Sequence, residues 1–419
     1  MLSMSIILIV FFITLVIAIL SGLIFLIPSV PIKYIKIHLY LIVLPIIISV
    51  IGLLNVSDRE QIGPFTMDHL AWLMGSFILI LGFIIQKFSV RYLIGDRNYR
   101  KYFPLFTLIT SFASIAWLSG DLRLMVLFWG ATLLSLTLLI RVNRSWKIPY
   151  EAAKVSGKSF ALGWLSLLVA VILLYVATGN WHINVTLAND DVITSGMRFI
   201  IDMLIVLAVI VPAAQFPFQS WLIESVAAPT PVSAIMHAGI VNAGGIILTR
   251  FSPVFNDPLA ITILLIIASI SVLLGSGISL VHVDYKRQLV GSTMSQMGFM
   301  LVQCALGVYS AAIIHLILHG VFKATLFLQS GSVVKRFNIP IPPSAKRSYS
   351  WVVLGRCLAI IIAILFWLGS DRSAYEILSA LILAWSLMVS WNQMVAFSRG
   401  LIGRVIGIIM IVIVALVYI

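Results

Sequence analysis

Three ionisable residues share one apolar stretch, AIIHLILHGVFKATLFLQSGS: His315, His319 and Lys323. Their spacing is i, i+4, i+8. On a helix each step drifts only about 40°, so the three form one stripe roughly 12 Å long. Two imidazoles leading to an amine, among Leu, Ile and Phe, suit a proton relay. Histidine titrates near neutral pH, and desolvation brings a lysine toward the same range. Two plainer readings stand beside the relay. The three can be buried polar groups that bond neighbouring helices, or His315 and His319 can be a His-x3-His metal pair, which here lacks a third ligand.

A second candidate is His237, in APTPVSAIMHAGIVNAGGIILTRF, with Asn242 five residues on and Gly239, Gly244 and Gly245 permitting close helix approach. Pro229 and Pro231 suit the start of this helix. A lone buried histidine is often only a packing residue; the polar neighbour and the glycine-rich face favour function. Asp202, in RFIIDMLIVLAVIVPAAQFPFQSWL, either pairs with Arg198 near the interface or marks the mouth of an ion path. Pro212 and Pro217 interrupt the same run and are expected to break the helix near mid-membrane. Broken helices place backbone dipoles beside ion sites in transporters, although lipid-facing proline kinks are also common.

The elements that must position these groups are membrane helices. The chain has 419 residues, 61% hydrophobic and only 10% charged. A water-soluble domain carries about a quarter charged residues, so most of this surface faces lipid. The expected fold is an all-α polytopic membrane protein, one membrane domain over 1–419. Fourteen spans are expected near 4–27, 38–55, 68–88, 103–119, 121–140, 158–178, 196–216, 231–249, 258–282, 288–308, 310–334, 350–369, 373–397 and 401–419. The first run lacks a basic n-region and a small-residue cleavage site, and reads as a span. Cys304 and Cys357 lie far apart in apolar segments and read as packing residues.

The net charge of +13 sits in short loops between apolar runs, which points to membrane orientation and not to nucleic acid. Of the 27 Lys and Arg residues, 21 fall in the loops that follow odd-numbered spans. These include Lys33 and Lys36, Arg91 to Lys101, Arg141 to Lys158, and Lys286 with Arg287. The other side carries Arg59, Arg123, Arg198, Arg250 and Arg372. The basic side is expected to be cytoplasmic and both termini outside. The loop from Phe216 to Pro231 has no base and one acid, Glu224. No phosphate loop, dinucleotide fingerprint, nucleophile elbow or multi-ligand metal cluster is present, so an enzyme acting alone is not expected.

The stretch QFPFQSWLIESVAAPTPVSAIMHAGIVNAGG resembles the seventh-to-eighth helix region of the antiporter-like subunits of complex I and Mrp antiporters. VDYKRQLVGSTMSQMGFM and the following AAIIHLILHGVFKATLFLQSGSVV resemble their central helices, and YLIGDRNYRKYF at 92–103 extends the likeness over about 90–335. The segment 336–419 then supplies further C-terminal helices. The resemblance puts the family's central lysine on Lys323 and its relay histidines on His237, His315 and His319. Two positions depart from it: Gly130 stands where the fifth helix usually carries a glutamate, and Pro212 where the seventh carries a lysine.

HAGIVNAGGIILTRF is similar to the membrane subunit of the DAB-type inorganic carbon accumulation systems. This resemblance implies a large soluble partner on the cytoplasmic side, carbonic-anhydrase-like and zinc-containing, with no cofactor in the present chain. It also implies that entry of H⁺ or Na⁺ across a bacterial cytoplasmic membrane energises conversion of CO₂ to bicarbonate. Two other readings remain: a subunit of a cation/proton antiporter or NADH dehydrogenase-type pump, and a non-conducting anchor for a soluble enzyme.

Overall fold

The hydrocarbon core offers no water to a free N–H or C=O, so an apolar chain of this kind closes its backbone bonds within helices. The structure, a computed structural model, describes residues 3–57, 59–143, 146–188, 192–333 and 349–369, with short stretches between 376 and 388. It opens with α1 (Met4–Leu23) and α2 (Ile35–Asn55), then a small hairpin, β1 (Glu60–Ile62) and β2 (Phe65–Met67). Next come α3 (His69–Tyr92), α4 (Tyr99–Leu118), α5 (Leu122–Ile140), α6 (Lys147–Thr178), the short α7 (Ile183–Ala188) and α8 (Ser195–Ile210). Then follow α9 (Ser220–Glu224), α10 (Thr230–Ala238), α11 (Ala243–Phe251), α12 (Pro258–Val281), α13 (Tyr285–Ala305), α14 (Tyr309–Leu328) and α15 (Tyr349–Gly369). Residues Met1–Val334 form one compact unit; Lys335–Ile419, with α15, form another.

Aspartates set several helix starts. Asp68, Asp121, Asp257 and Asp284 each accept a backbone N–H of the helix that follows, which satisfies an otherwise orphaned donor. Among the described residues nine helical segments are long and apolar enough to cross a membrane. A helix stands at each of the first twelve expected spans, and the last two fall largely outside the described residues. Three of those twelve, α8, α13 and α15, do not meet the length or hydropathy that the nine meet: α8 has 16 residues, and α13 is rich in Ser, Thr and Gln.

Two elements differ from the expected spans. Helix α6 has 32 residues and begins at Lys147, eleven positions before the expected 158. At 1.5 Å per residue it is about 48 Å long, so its first turns project past a core of about 30 Å and carry part of the basic loop. The span expected at 231–249 is two helices, α10 and α11, joined by a 3-10 turn at Ile240–Asn242. This divided span, Thr230–Phe251, is the most enclosed of the nine: 89% of its window is buried, against 28% for α12.

Hydrogen bonds gather the loops at two ends of the bundle. At one end Arg100 donates to Ile27 O (3.1 Å), Asn98 to Asn143 Oδ1 (3.0 Å), Tyr92 to Thr230 Oγ1 (3.0 Å) and Lys286 to Ala228 O (3.2 Å). Among the described residues the loops after the first, third, fifth and ninth spans thus share one end, and the base-free loop 216–231 joins them. At the other end Gly120 N–H donates to Pro64 O (2.9 Å), Ile183 N–H to Gly120 O (2.8 Å), and Gln61 meets His182 (2.9 Å). The charge asymmetry along the chain is therefore an asymmetry between the two ends of the fold.

The second end is tied by a buried ion pair. Arg250, at the end of α11, grips both carboxylate oxygens of Asp68 at the start of α3 and donates to Trp117 O (3.2 Å). Arg59 approaches the same carboxylate at 3.6 Å. Removing one member of a buried pair strands the other, at a cost of about 3–5 kcal/mol. Asp68→Ala is therefore expected to lower the thermal midpoint of the detergent-solubilised chain sharply, read by fluorescence-detected gel filtration. An unchanged midpoint would show that the pair does not hold α3 to α11.

Candidate functional site

Helix α14 presents the stripe from its middle. Lys323 is 1% exposed, and its ammonium donates to Leu289 O at 3.0 Å and to Ser292 Oγ, both on α13. One turn earlier His319 is buried, and neither of its ring nitrogens has a protein hydrogen-bond partner among the described residues. One further turn back, His315 Nδ1 meets Gln303 Oε1 of α13 at 3.1 Å. The two imidazoles lie 6.2 Å apart, centre to centre and edge to face.

His237, in the last turn of α10, faces this stripe. Its ring stacks on Phe327 of α14 at 4.4 Å, and it is fully buried with both nitrogens unpartnered among the described residues. His237, His319 and Lys323 lie within one another's electrostatic reach. Gly320 allows the approach: a Cβ there would meet Ala238 O at 2.7 Å and the Phe77 ring of α3. Any larger residue would push α14 off α10 and separate His237 from Lys323.

Asn242 sits in the 3-10 turn between α10 and α11. Its Nδ2 donates to Ala238 O (2.7 Å), which the broken helix leaves free, and its Oδ1 has no protein partner among the described residues. The structure thus brings His237, His315, His319, Lys323 and Asn242 together where α10, α13 and α14 meet. Asp202 stands elsewhere. It is fully buried on α8, and its Oδ2 accepts the backbone N–H of Asn256 (3.1 Å) and Asp257 (2.9 Å). It therefore also shapes the turn that starts α12.

The break at Pro212 and Pro217 is present between α8 and α9. Ala214 is left-handed there, with φ 53°. The freed groups are largely taken up inside the protein. Trp221 Nε1 donates to Val211 O (2.9 Å), Gln215 Nε2 to Ala213 O (2.7 Å), and Ser271 Oγ accepts from Phe216 N–H (2.9 Å). Gln215 is fully buried, and its Oε1 has no partner among the described residues.

Bulk fills the two departing positions. A Cβ at Gly130 would run into the indole of Trp164, whose Nε1 donates to Val126 O of α5 (2.9 Å). Pro212 lies against Gly163 of α6. Indole thus packs against helix backbone at Gly130, and proline against glycine at Pro212. Among the described residues no group of three or more His, Cys, Asp or Glu side chains is placed to hold a metal ion.

Sequence reasoning missed Ser292, Gln303 and Gln215. The signal lay in VGSTMSQMGFMLVQ and VPAAQF: serines and glutamines inside a bilayer-length helix or at its break are expensive unless they bond something.

Comparison with known proteins identifies the family. The family described as NADH:quinone oxidoreductase/Mrp antiporter, TM, matches residues 119–407, and the complex I chain 5 N-terminus family matches 63–103. The "Probable inorganic carbon transporter subunit DabB" of Bacillus subtilis is 58% identical over 419 residues, all of this chain and 83% of the relative. The DabB1 counterpart in Halothiobacillus neapolitanus is 34% identical over 325 residues, 73% of this chain and 58% of that protein. Chloroplastic NAD(P)H-quinone oxidoreductase subunit 5 of Nymphaea alba is 31% identical over 311 residues, 71% of this chain and 41% of that one. Among solved structures, the Mrp complex from Dietzia sp. superposes with TM-score 0.70 at 24% identity, over 97% of this chain and 45% of the other. An archaeal membrane-bound sulfane sulfur reductase gives TM-score 0.71 at 18% identity, over 99% and 94%. These two likenesses show a shared fold. With the family match and the full-length relative taken together, the chain belongs to the DabB family of inorganic carbon transporter subunits, within the complex I/Mrp antiporter-like membrane proteins.

Proposed function

We propose that this chain is the cation-translocating membrane subunit of a two-component, energy-coupled inorganic carbon accumulation complex. One observation carries the reading: a lysine buried in the bilayer, held by α13, faces two histidines whose ring nitrogens have no protein partner among the described residues. Unpaired nitrogens in a packed interior require water, and water between titratable groups conducts protons. A purely structural polar cluster bonds its members to each other, and this one does not.

The ion is H⁺ or Na⁺. One charge moving down 100 mV releases about 2.3 kcal/mol, enough to displace CO₂ hydration well past equilibrium if it drives a conformational change in the hydrating subunit. Hydration itself, with its zinc, belongs to a large soluble partner resembling a carbonic anhydrase. That partner docks on the cytoplasmic side, taken here as the basic end of the bundle, with both termini outside. The chain is read as a multi-pass protein of the bacterial cytoplasmic membrane, and the Bacillus subtilis relative is described as a transporter subunit.

A second reading, a cation/proton antiporter or NADH dehydrogenase-type pump subunit, is favoured by the subunit 5 relatives. Trp164 against Gly130 and Pro212 against Gly163 count against it, because they occupy the acid–base half-channel such a pump uses.

Tagged chain purified from gently solubilised membranes is expected to bring down a single large zinc-containing soluble protein. A set of small membrane subunits in its place would contradict the carbon reading and favour the second. In a host lacking carbonic anhydrase, Lys323→Ala is expected to cut ¹⁴C-inorganic carbon uptake at least about tenfold, the loss of about 1.4 kcal/mol of coupling or more, at unchanged membrane abundance. Wild-type uptake by that variant would remove Lys323 from the pathway.

A further inference from the structure

A further buried histidine stands apart from the stripe. His38, on α2, is 1% exposed. Each of three other helices gives it one polar side chain. Nδ1 lies 2.7 Å from Ser21 Oγ of α1; Nε2 lies 3.2 Å from Gln86 Oε1 of α3 and 3.1 Å from Thr107 Oγ1 of α4. The ring of Phe25 packs edge-on at 5.6 Å.

Counting hydrogens defines what this cluster does. A hydroxyl has one to give. The single hydrogen of Ser21 has Ala18 O at 2.8 Å and His38 Nδ1 at 2.7 Å in reach; aimed at Ala18 O, it leaves the serine oxygen to take a hydrogen from Nδ1. With Nδ1 protonated in that arrangement, Nε2 decides the charge of the ring. Gln86 Nε2 donates to Thr107 Oγ1 at 3.3 Å, which leaves Gln86 Oε1, an acceptor, toward His38 Nε2. The single hydrogen of Thr107 has Phe103 O at 3.0 Å, His38 Nε2 at 3.1 Å and Gln86 Oε1 at 3.4 Å in reach. Aimed at Nε2, it satisfies a neutral ring. Aimed at Phe103 O, it leaves Nε2 facing two acceptors, and the ring is then satisfied by carrying a second hydrogen.

The ring nitrogens are thus bonded in both proton states, Gln86 Oε1 receiving a hydrogen only from the charged ring, and passing between the states turns one hydroxyl and moves no helix. A fixed clasp needs only one such state. His237 and His319 differ, because their nitrogens have no protein partner among the described residues.

The cluster lies near an aqueous face. Ser21 and His38 are each within about one turn of the α1–α2 connection, and Gln86 and Thr107 within about two turns of the α3–α4 connection. Charged groups at this end are Lys33 just before α2 and Lys36 on it, Lys87 and Arg91 of α3, Arg100 and Lys101 of α4, and Asp96 and Arg97 between those two helices. Arg100 is bonded to Ile27 O, Lys101 to Asn98 Oδ1 (3.0 Å) and Asp96 to Tyr102 Oη (3.2 Å). Among the described residues no charged side chain hydrogen-bonds His38, so no carboxylate fixes its state.

We propose that His38, Ser21, Gln86 and Thr107 form a second proton-binding site, exchanging one proton with the aqueous phase at the basic end of the bundle. On loading, a proton from water bonds to the Nε2 lone pair and the Thr107 hydrogen turns to Phe103 O. On release, the N–H bond breaks toward water and the hydroxyl turns back. The site rests on the membrane fold and is independent of the carbon-transport reading.

The test is ¹⁵N solid-state NMR of the full chain, histidine-labelled and reconstituted in bilayers, titrated from about pH 9 to about pH 4. His38 is assigned by the signals missing in His38→Gln and, without any variant, by its ring correlation to Ser21. The expected result is that Nδ1 stays protonated throughout while Nε2 passes from acceptor to protonated. Gln86→Leu, which removes an acceptor used only by the charged ring, is expected to move the midpoint down by about one unit, tenfold in proton affinity, and Gln86→Glu to move it up. An Nε2 that keeps one state across the range, or a midpoint indifferent to both Gln86 variants, would overturn the proposal.

Discussion

Inside the hydrocarbon core a polar group is under strong demand to find a partner, and most of this structure follows from that demand, His237 and His319 being exceptions among the described residues. Backbone groups meet it by forming helices. Where a helix breaks, side chains take over: Trp221 and Gln215 cover the carbonyls freed at Pro212, and Asn242 covers Ala238 O. Charges meet it by pairing, as Arg250 does with Asp68, or by capping amides, as Asp202 does at the start of α12. Lys323 meets it with a carbonyl and a hydroxyl and no anion. An ammonium held that way sits in a shallow well, which suits a group that must pass a cation on.

The same demand explains what the sequence disclosed. Charges inside long apolar runs are few and costly, so His315, His319 and Lys323 declared themselves by position and their common face by spacing. The loop charges foretold which connections share an end of the bundle, because short loops between helices of bilayer length have no other place to go. The division of the central span at Gly239–Asn242 was not legible. Between His237 and Asn242 the run AGIV carries no proline and no charge to mark a break, and packing against α3 and α14 decides that it breaks beneath His237. His38 stayed silent for a related reason: its partners Ser21, Gln86 and Thr107 come from three other helices, and no local spacing joins them.

The fold is shared with the solved relatives, as the superpositions show. Around Gly130 and Pro212 it is filled with bulk: Trp164 packs on α5 at Gly130, and Pro212 packs on Gly163 of α6. The polar groups that remain are concentrated where α10, α13 and α14 meet.

The central claim is that this stripe passes a cation through the bilayer. The most direct measurement is flux into proteoliposomes holding the chain with its co-purified partner, under an imposed inside-negative potential, with a pH dye for H⁺ and ²²Na⁺ for sodium. The account predicts potential-driven entry of one of the two ions with wild-type protein and its loss with Lys323→Gln at equal incorporation. Flux no greater than in protein-free vesicles, or full flux with Lys323→Gln, would contradict it.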